Sequence, residues 1–175
     1  MTIILTGFMC SGKTSVANAL GKMLESEVVD LDSRISTVMG QTPKQIISGK
    51  GEEAFRELET TVLREVLQER PGVIALGGGA WIVARNRELI KTHGAKTIWL
   101  DVPFEVCWAR IREGGDCRPL ATSELKSRLL YDRRYSTYQL ADIRIAVGAS
   151  EPIEAIANTI ARLTATHETT NKPSS

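Results

Sequence analysis

The chain has 175 residues, 42% of them hydrophobic, and sets 22 Lys plus Arg against 21 Asp plus Glu for a net charge of +1. That length suits one compact domain that needs no staple to fold. The balanced charge excludes a single-sign field that would draw the protein to nucleic acid or an anionic membrane, so basic residues with a task must be clustered locally.

In chain order, short β-branched runs alternate with stretches of helical period. The spacing predicts strands at residues 3–5, 28–29, 73–76, 97–100 and 143–146. Each is short and almost continuously apolar, as strands covered on both faces are. After the first strand, Val16, Leu20 and Met23 or Leu24 share one helical face. Further helices are predicted at 33–38, at 52–68 (with Phe55, Leu58, Val62 and Val66 on one side), at 102–112, at 123–135, and at 152–163, which opens on Pro152. Alternating β and α implies an α/β fold with a parallel sheet covered on both faces. Residues 113–122 hold Gly114, Gly115 and Pro119 and read as a mobile segment, and the polar end at 166–175 as a frayed tail. The only cysteines are Cys10, Cys107 and Cys117, an odd number without metal-ligand spacing. With no leader-like start and no apolar run of about 20 residues, the expectation is a cytoplasmic enzyme.

Gly7-Phe8-Met9-Cys10-Ser11-Gly12-Lys13-Thr14 fits the phosphate-loop pattern G-x4-G-K-[ST] between a predicted strand and a predicted helix. Glycines let the backbone wrap phosphates with N–H groups pointing inwards, and the helix start adds partial positive charge. Lys13 suits the β- and γ-phosphates and the Thr14 hydroxyl suits Mg²⁺. ATP and Mg²⁺ are therefore the expected cofactors, with Ser11, Gly12, Lys13, Thr14 and Ser15 at the nucleotide.

Two strands end in aspartate, Asp30 and Asp101, and the carboxyl ends of strands are where ligands gather in open α/β folds. Asp32 follows Asp30, so one carboxylate can hold the metal through water while the other takes a proton from a hydroxyl. The alternative is a helix N-cap. Asp101, before Pro103, reads as a turn or cap residue. Gly77-Gly78-Gly79 permits a ligand to approach the backbone closely, or is a plain turn. Arg56 sits among Glu52, Glu53, Glu57 and Glu59, where surface pairing is the alternative to a site. Arg133 and Arg134 stand near a helix end, where they also suit the dipole. Arg112 and Arg118 flank the glycine pair and suit a closing loop that neutralises a transferring phosphoryl group, or a basic surface loop.

The order GFMCSGKT, Asp30-Leu31-Asp32, Phe55-Arg56-Glu57-Leu58-Glu59, Gly77-Gly78-Gly79, Arg118-Pro119-Leu120 and Arg134…Tyr138 resembles shikimate kinases over residues 1 to about 163. The resemblance implies a fold like nucleoside monophosphate kinases: three layers, α/β/α, around a five-stranded parallel sheet. It implies one domain over 1–165, with a substrate region near 31–60 and a lid near 112–122. The implied activity is phosphorylation of the shikimate 3-hydroxyl by ATP, in aromatic amino acid biosynthesis. Asp32 is then the substrate-binding base, Arg56 and Arg134 grip the carboxylate, and Gly77, Gly78 and Gly79 present backbone to the acceptor. Asp30 holds Mg²⁺ through water beside Thr14, Lys13 and Arg118 stabilise the transferring group, and Arg112 and Pro119 lie near adenine. Glu59 orients Arg56, and the late adenine loop falls near 147–152. The partner implied is the small molecule alone, with no nucleic acid or membrane, and the protein a monomer. Cys10 departs from the glycine common at its position, and Ala121 from a second leucine. A gluconate or nucleotide kinase is the alternative acceptor class, and a non-catalytic nucleotide switch, which would not need Asp32, the alternative function class.

Overall fold

A computed structural model describes residues 1–114 and 123–169, with side chains to residue 165. The chain runs β1 (Ile3–Thr6), α1 (Lys13–Met23), β2 (Val28–Asp30), α2 (Leu31–Met39), α3 (Pro43–Glu69), β3 (Val73–Ala75), a 3₁₀ turn (Ala80–Ile82), α4 (Ala84–Thr92), β4 (Lys96–Asp101), α5 (Phe104–Glu113), α6 (Glu124–Tyr138), β5 (Ile143–Ala146) and α7 (Ile153–Thr169). The strands form one sheet in the order β2-β3-β1-β4-β5, every neighbouring pair parallel. Every residue of β1 and β3 is buried, so helices cover both faces, as the unbroken apolar runs require. β2 and β3 lie on one side of β1, and β4 and β5 on the other. Strand order thus reverses at β1, and the loops leaving the carboxyl ends of β1, β2 and β3 open onto one crevice.

Four of the differences between the helices and expectation have a local reason. In α1 the buried face is Val16, Ala17, Leu20 and Gly21, while Met23 and Leu24 are each 40% exposed. Gly21 takes the contact because a Cβ there would stand 2.1 Å from Val28 Cγ2. α2 starts at Leu31, capped by Asp30, whose carboxylate accepts the Ser33 N–H at 2.9 Å. α3 begins at Pro43, well before residue 52, on a capping box between Thr42 and Gln45. Its path breaks at Gly51 (φ 86°, ψ 164°), so the expected helix is its second piece. α4 had no expected counterpart, because it buries only Asn86 and Ile90 and so shows no apolar stripe.

The expected lid motif Arg118-Pro119 and Ala121 lies outside the described residues, while the expected tail 166–175 is helical as far as Thr169, the end of α7, with its remainder outside them. Among the described residues no helix is long and apolar enough to cross a membrane.

Candidate active site

The loop after β1 owes its shape to its backbone. Gly7 has φ 145°, and a Cβ on it would stand 2.7 Å from the Leu100 carbonyl oxygen. Gly12 has φ 91° and caps α1. Cys10 also has a left-handed conformation, φ 57°, which costs a residue with a Cβ roughly 1–2 kcal/mol. Lys13 is buried, and its Nζ donates to the carbonyls of Gly7 (3.1 Å) and Phe8 (2.8 Å). The ammonium is folded back over the loop that a phosphate would occupy.

Thr14 and Asp30 meet at the loop's far side. The Thr14 hydroxyl donates to Asp30 Oδ2 at 2.6 Å, while Oδ1 caps α2. Asp30 is thus the N-cap that its sequence position allowed, and its second oxygen meets Thr14. A hydroxyl and a carboxylate side by side are hard oxygen donors that fit Mg²⁺. Among the described residues no three His, Cys, Asp or Glu side chains cluster to hold a metal. A cation here would complete its shell from phosphate and water, which is how Mg²⁺ is usually bound beside nucleotides.

The triple glycine forms a floor beneath two functional groups. A Cβ on Gly77 would stand 2.4 Å from Asp32 Oδ1 and 3.0 Å from Glu59 Oε1. One on Gly79 would stand 2.3 Å from Arg56 Nη2. The Gly78 carbonyl accepts from Arg134 Nη1 at 2.8 Å and from the Tyr138 hydroxyl at 2.9 Å. Asp32 from α2, Arg56 from α3 and Arg134 from α6 therefore gather around one turn. Arg133 is exposed, so of the adjacent arginines only Arg134 faces the turn.

Arg56 is not a surface-pairing arginine. Its Nη1 donates to Glu59 Oε2 at 2.8 Å and its Nη2 to Glu52 Oε1 at 3.1 Å. Glu59 is fully buried, and its Oε1 has no hydrogen-bond partner. Burial pushes the Glu59 carboxyl up to about 6, Arg56 draws it down, and Asp32 adds to the rise. This gives a pH prediction with two opposed signs. The folded value lies above the unfolded one, so the stability this group contributes is full below about 4.5 and is lost as pH rises through about 6. The charged form of Glu59, the buried partner of Arg56, predominates only above about 6. Acceptor KM is expected to climb about tenfold per unit as pH falls below that point, on the fraction ionised. A profile of acceptor KM against pH checks it. The same bend persisting in Glu59→Gln would assign it to another group.

Beside the turn lies a cleft of about 430 Å³, lined by Ser11, Gly12, Lys13, Thr14, Ser15, Asp30, Asp32 and Gly78, and at its far end by Arg110, Val147, Glu151, Ile153 and Ile156. Arg110 was not anticipated. Its Nη1 donates to the Cys10 carbonyl at 3.2 Å and would stand 3.8 Å from a Cβ on Gly12. Arg112, which the family resemblance put near adenine, is exposed on the same helix and is not among the residues lining the cleft. Two residues are about 200° apart around a helix, so only one of the pair can face the loop. Nothing in the sequence distinguishes them. Arg118 and Pro119 lie outside the described residues.

Asp101 is neither cap nor turn former. Its carboxylate takes Arg144 Nε at 2.8 Å and Nη2 at 2.6 Å, while α5 starts at Phe104, after Pro103 at the N-cap position, without a side-chain cap. Cys107 is buried, which pushes its thiol up to about 12 and leaves it unreactive.

The family described as Shikimate kinase matches residues 9–165. A shikimate kinase from Synechococcus elongatus is 39% identical over 157 residues, covering 88% of this chain and 81% of the relative. A solved shikimate kinase from Acinetobacter baumannii, in complex with shikimate, is 33% identical and superposes with a TM-score of 0.88 over 95% of this chain and 93% of its own. A gluconokinase from Sinorhizobium meliloti superposes with a TM-score of 0.65 at 17% identity, over 98% of this chain and 97% of its own, which is a likeness of fold alone.

Proposed function

We infer a division of labour in this site from one premise, that the chain belongs to the shikimate kinase family. It is a kinase that transfers a phosphoryl group from ATP to shikimate. The observation that carries the residue roles is the pairing of groups over the triple glycine, Asp32 above Gly77 and Arg56 above Gly79, at the edge of the phosphate-loop cleft.

Shikimate is a carboxylic acid with several hydroxyls, and the site offers matching chemistry. Arg56 and Arg134 present planar donor forks suited to a carboxylate. Asp32 binds the hydroxyls and accepts the proton of the 3-hydroxyl as that oxygen attacks. Gly77, Gly78 and Gly79 let the acceptor lie against the backbone. Glu59 holds Arg56 in place through its 2.8 Å bond. At the nucleotide, the backbone from Ser11 to Ser15 wraps the phosphates, and Lys13 turns from its loop carbonyls to the transferring group. Thr14 would hold Mg²⁺ with Asp30 reaching it through water, and the ion would neutralise phosphate charge. Val147, Ile153 and Ile156 offer an apolar slot for adenine with Arg110 at its edge, and Arg112 is assigned to adenine by family likeness alone. Arg118 and Pro119 are assigned to the nucleotide by family likeness, as part of a lid over 112–122 within one domain of 1–165. The balanced charge supports an enzyme with no nucleic-acid or membrane partner, and a cytoplasmic monomer is the state expected of it.

The test is an acceptor panel with magnesium ATP, following ADP release. ADP is expected with shikimate and not with gluconate, nucleoside monophosphates or no acceptor. Release that ignores omission of shikimate, or is faster with another acceptor, overturns the reading.

A further inference from the structure

The turn that carries the glycine floor is held from behind by side chains with no role in the site above. The first turn of α4 supplies two of them. Asn86 Nδ2 donates to the Ala80 carbonyl at 2.9 Å, and Arg87 Nη1 donates to the carbonyls of Trp81 (2.7 Å) and Ile82 (2.8 Å). All three carbonyls of the 3₁₀ turn are therefore gripped by α4. The Asn86 amide reaches the other way too. Its Oδ1 lies 2.7 Å from the hydroxyl of Thr60, which takes a hydrogen bond from Arg85 Nε at 3.0 Å and lies 2.9 Å from the Arg56 carbonyl. The hydroxyl has one proton to give, and Asn86 is its nearer acceptor.

Asn86 is fully buried, and Thr60 is 3% exposed. A buried amide is costly unless both its ends are paired, and a smaller apolar residue would serve packing as well. Such a group earns its place by fixing geometry rather than by adding stability. Thr60 stands one helical turn beyond Arg56, whose guanidinium lies over Gly79. Asn86 is thus the direct link between the glycine turn and the segment of α3 that carries Arg56. On the opposite side α6 holds the same turn through Trp81 Nε1 to the Thr137 carbonyl at 2.9 Å.

We propose that Asn86 is a positioning residue of the acceptor site, tying the Gly78–Ile82 turn to α3 through Thr60 and so setting the separation between the glycine backbone and the Arg56 guanidinium. This rests on the acceptor site being where the proposed function puts it. Loss of one side of a buried, paired group gives about a tenfold effect.

The experiment compares Asn86→Ala, Thr60→Val and Thr60→Ser with the unaltered chain, measuring KM for shikimate and for ATP separately. Asn86→Ala and Thr60→Val are each expected to raise the shikimate KM about tenfold while the ATP KM stays within about twofold. Thr60→Ser, which keeps the hydroxyl, is expected to restore the shikimate KM. A shikimate KM unmoved in both variants, or both constants rising together, overturns the proposal. If Asn86→Ala does not fold, Thr60→Val with its serine rescue decides alone. Failure of the unaltered chain on shikimate would count against the proposed function instead. The clamp is then read without any acceptor, as faster amide exchange across residues 78–82 in Asn86→Ala or Thr60→Val, and unchanged exchange in both overturns it.

Discussion

Lys13→Ala is expected to lower kcat about a thousandfold, the scale for losing one preorganised charge at a transferring group. The side chain is 8% exposed, and its ammonium is already held at the loop by the Gly7 and Phe8 carbonyls. No other described cation is held inside the loop in this way, so no described neighbour can substitute. Arg110 comes next, but its guanidinium is bound to the Cys10 carbonyl. Lys13→Arg is not expected to rescue, because a planar fork needs more room than a buried point charge. Steady-state kinetics with a thermal melt as control checks this. A folded Lys13→Ala protein with near-normal kcat would mean that the phosphate loop does not act on the transferred group.

Gly79→Ala is expected to raise the acceptor KM about a hundredfold with little change in ATP KM, as misplacing a substrate-holding group by about an ångström does. The added Cβ would stand 2.3 Å from Arg56 Nη2 and 2.6 Å from its Cζ. The tip of an arginine can move, so the chain still folds, but Arg56 cannot move freely. Glu59 and Glu52 tether it, and Glu59 is fully buried. Displacing the guanidinium strips Glu59 of its counter-charge, and a carboxyl already at about 6 responds by taking up a proton. The acidic limb of the acceptor KM profile should therefore move to higher pH in Gly79→Ala. An unchanged KM and an unchanged profile would show that Arg56 does not hold the acceptor.

Much of this was legible in the chain. The five strands, the loop from Gly7 to Thr14 and the second piece of α3 follow local rules of period, propensity and turn chemistry, which operate within a few residues. α4 was not legible, because a helix that buries one isoleucine and one asparagine carries no stripe to read. The face of α1 was misread because Gly21, not Met23 or Leu24, makes the close approach to the sheet. Arg110 and Arg112 are indistinguishable by sequence, since the direction of the loop relative to α5 decides between them. The partner of Asp101 is Arg144 on the neighbouring strand, a pairing set only by sheet order.

The sequence by itself determined the phosphate loop, the α/β class and, through the order of its motifs, the family. The tertiary structure alone decided that Glu59 is buried rather than solvated, that Gly77 and Gly79 lie beneath Asp32 and Arg56, and that Asn86 reaches both the glycine turn and Thr60. The physical reason is range. Loop and strand chemistry acts between neighbours in the chain, whereas the separations that make a site run between α2, α3, α4 and the loop after β3, and these take values only once the sheet has fixed where each element packs.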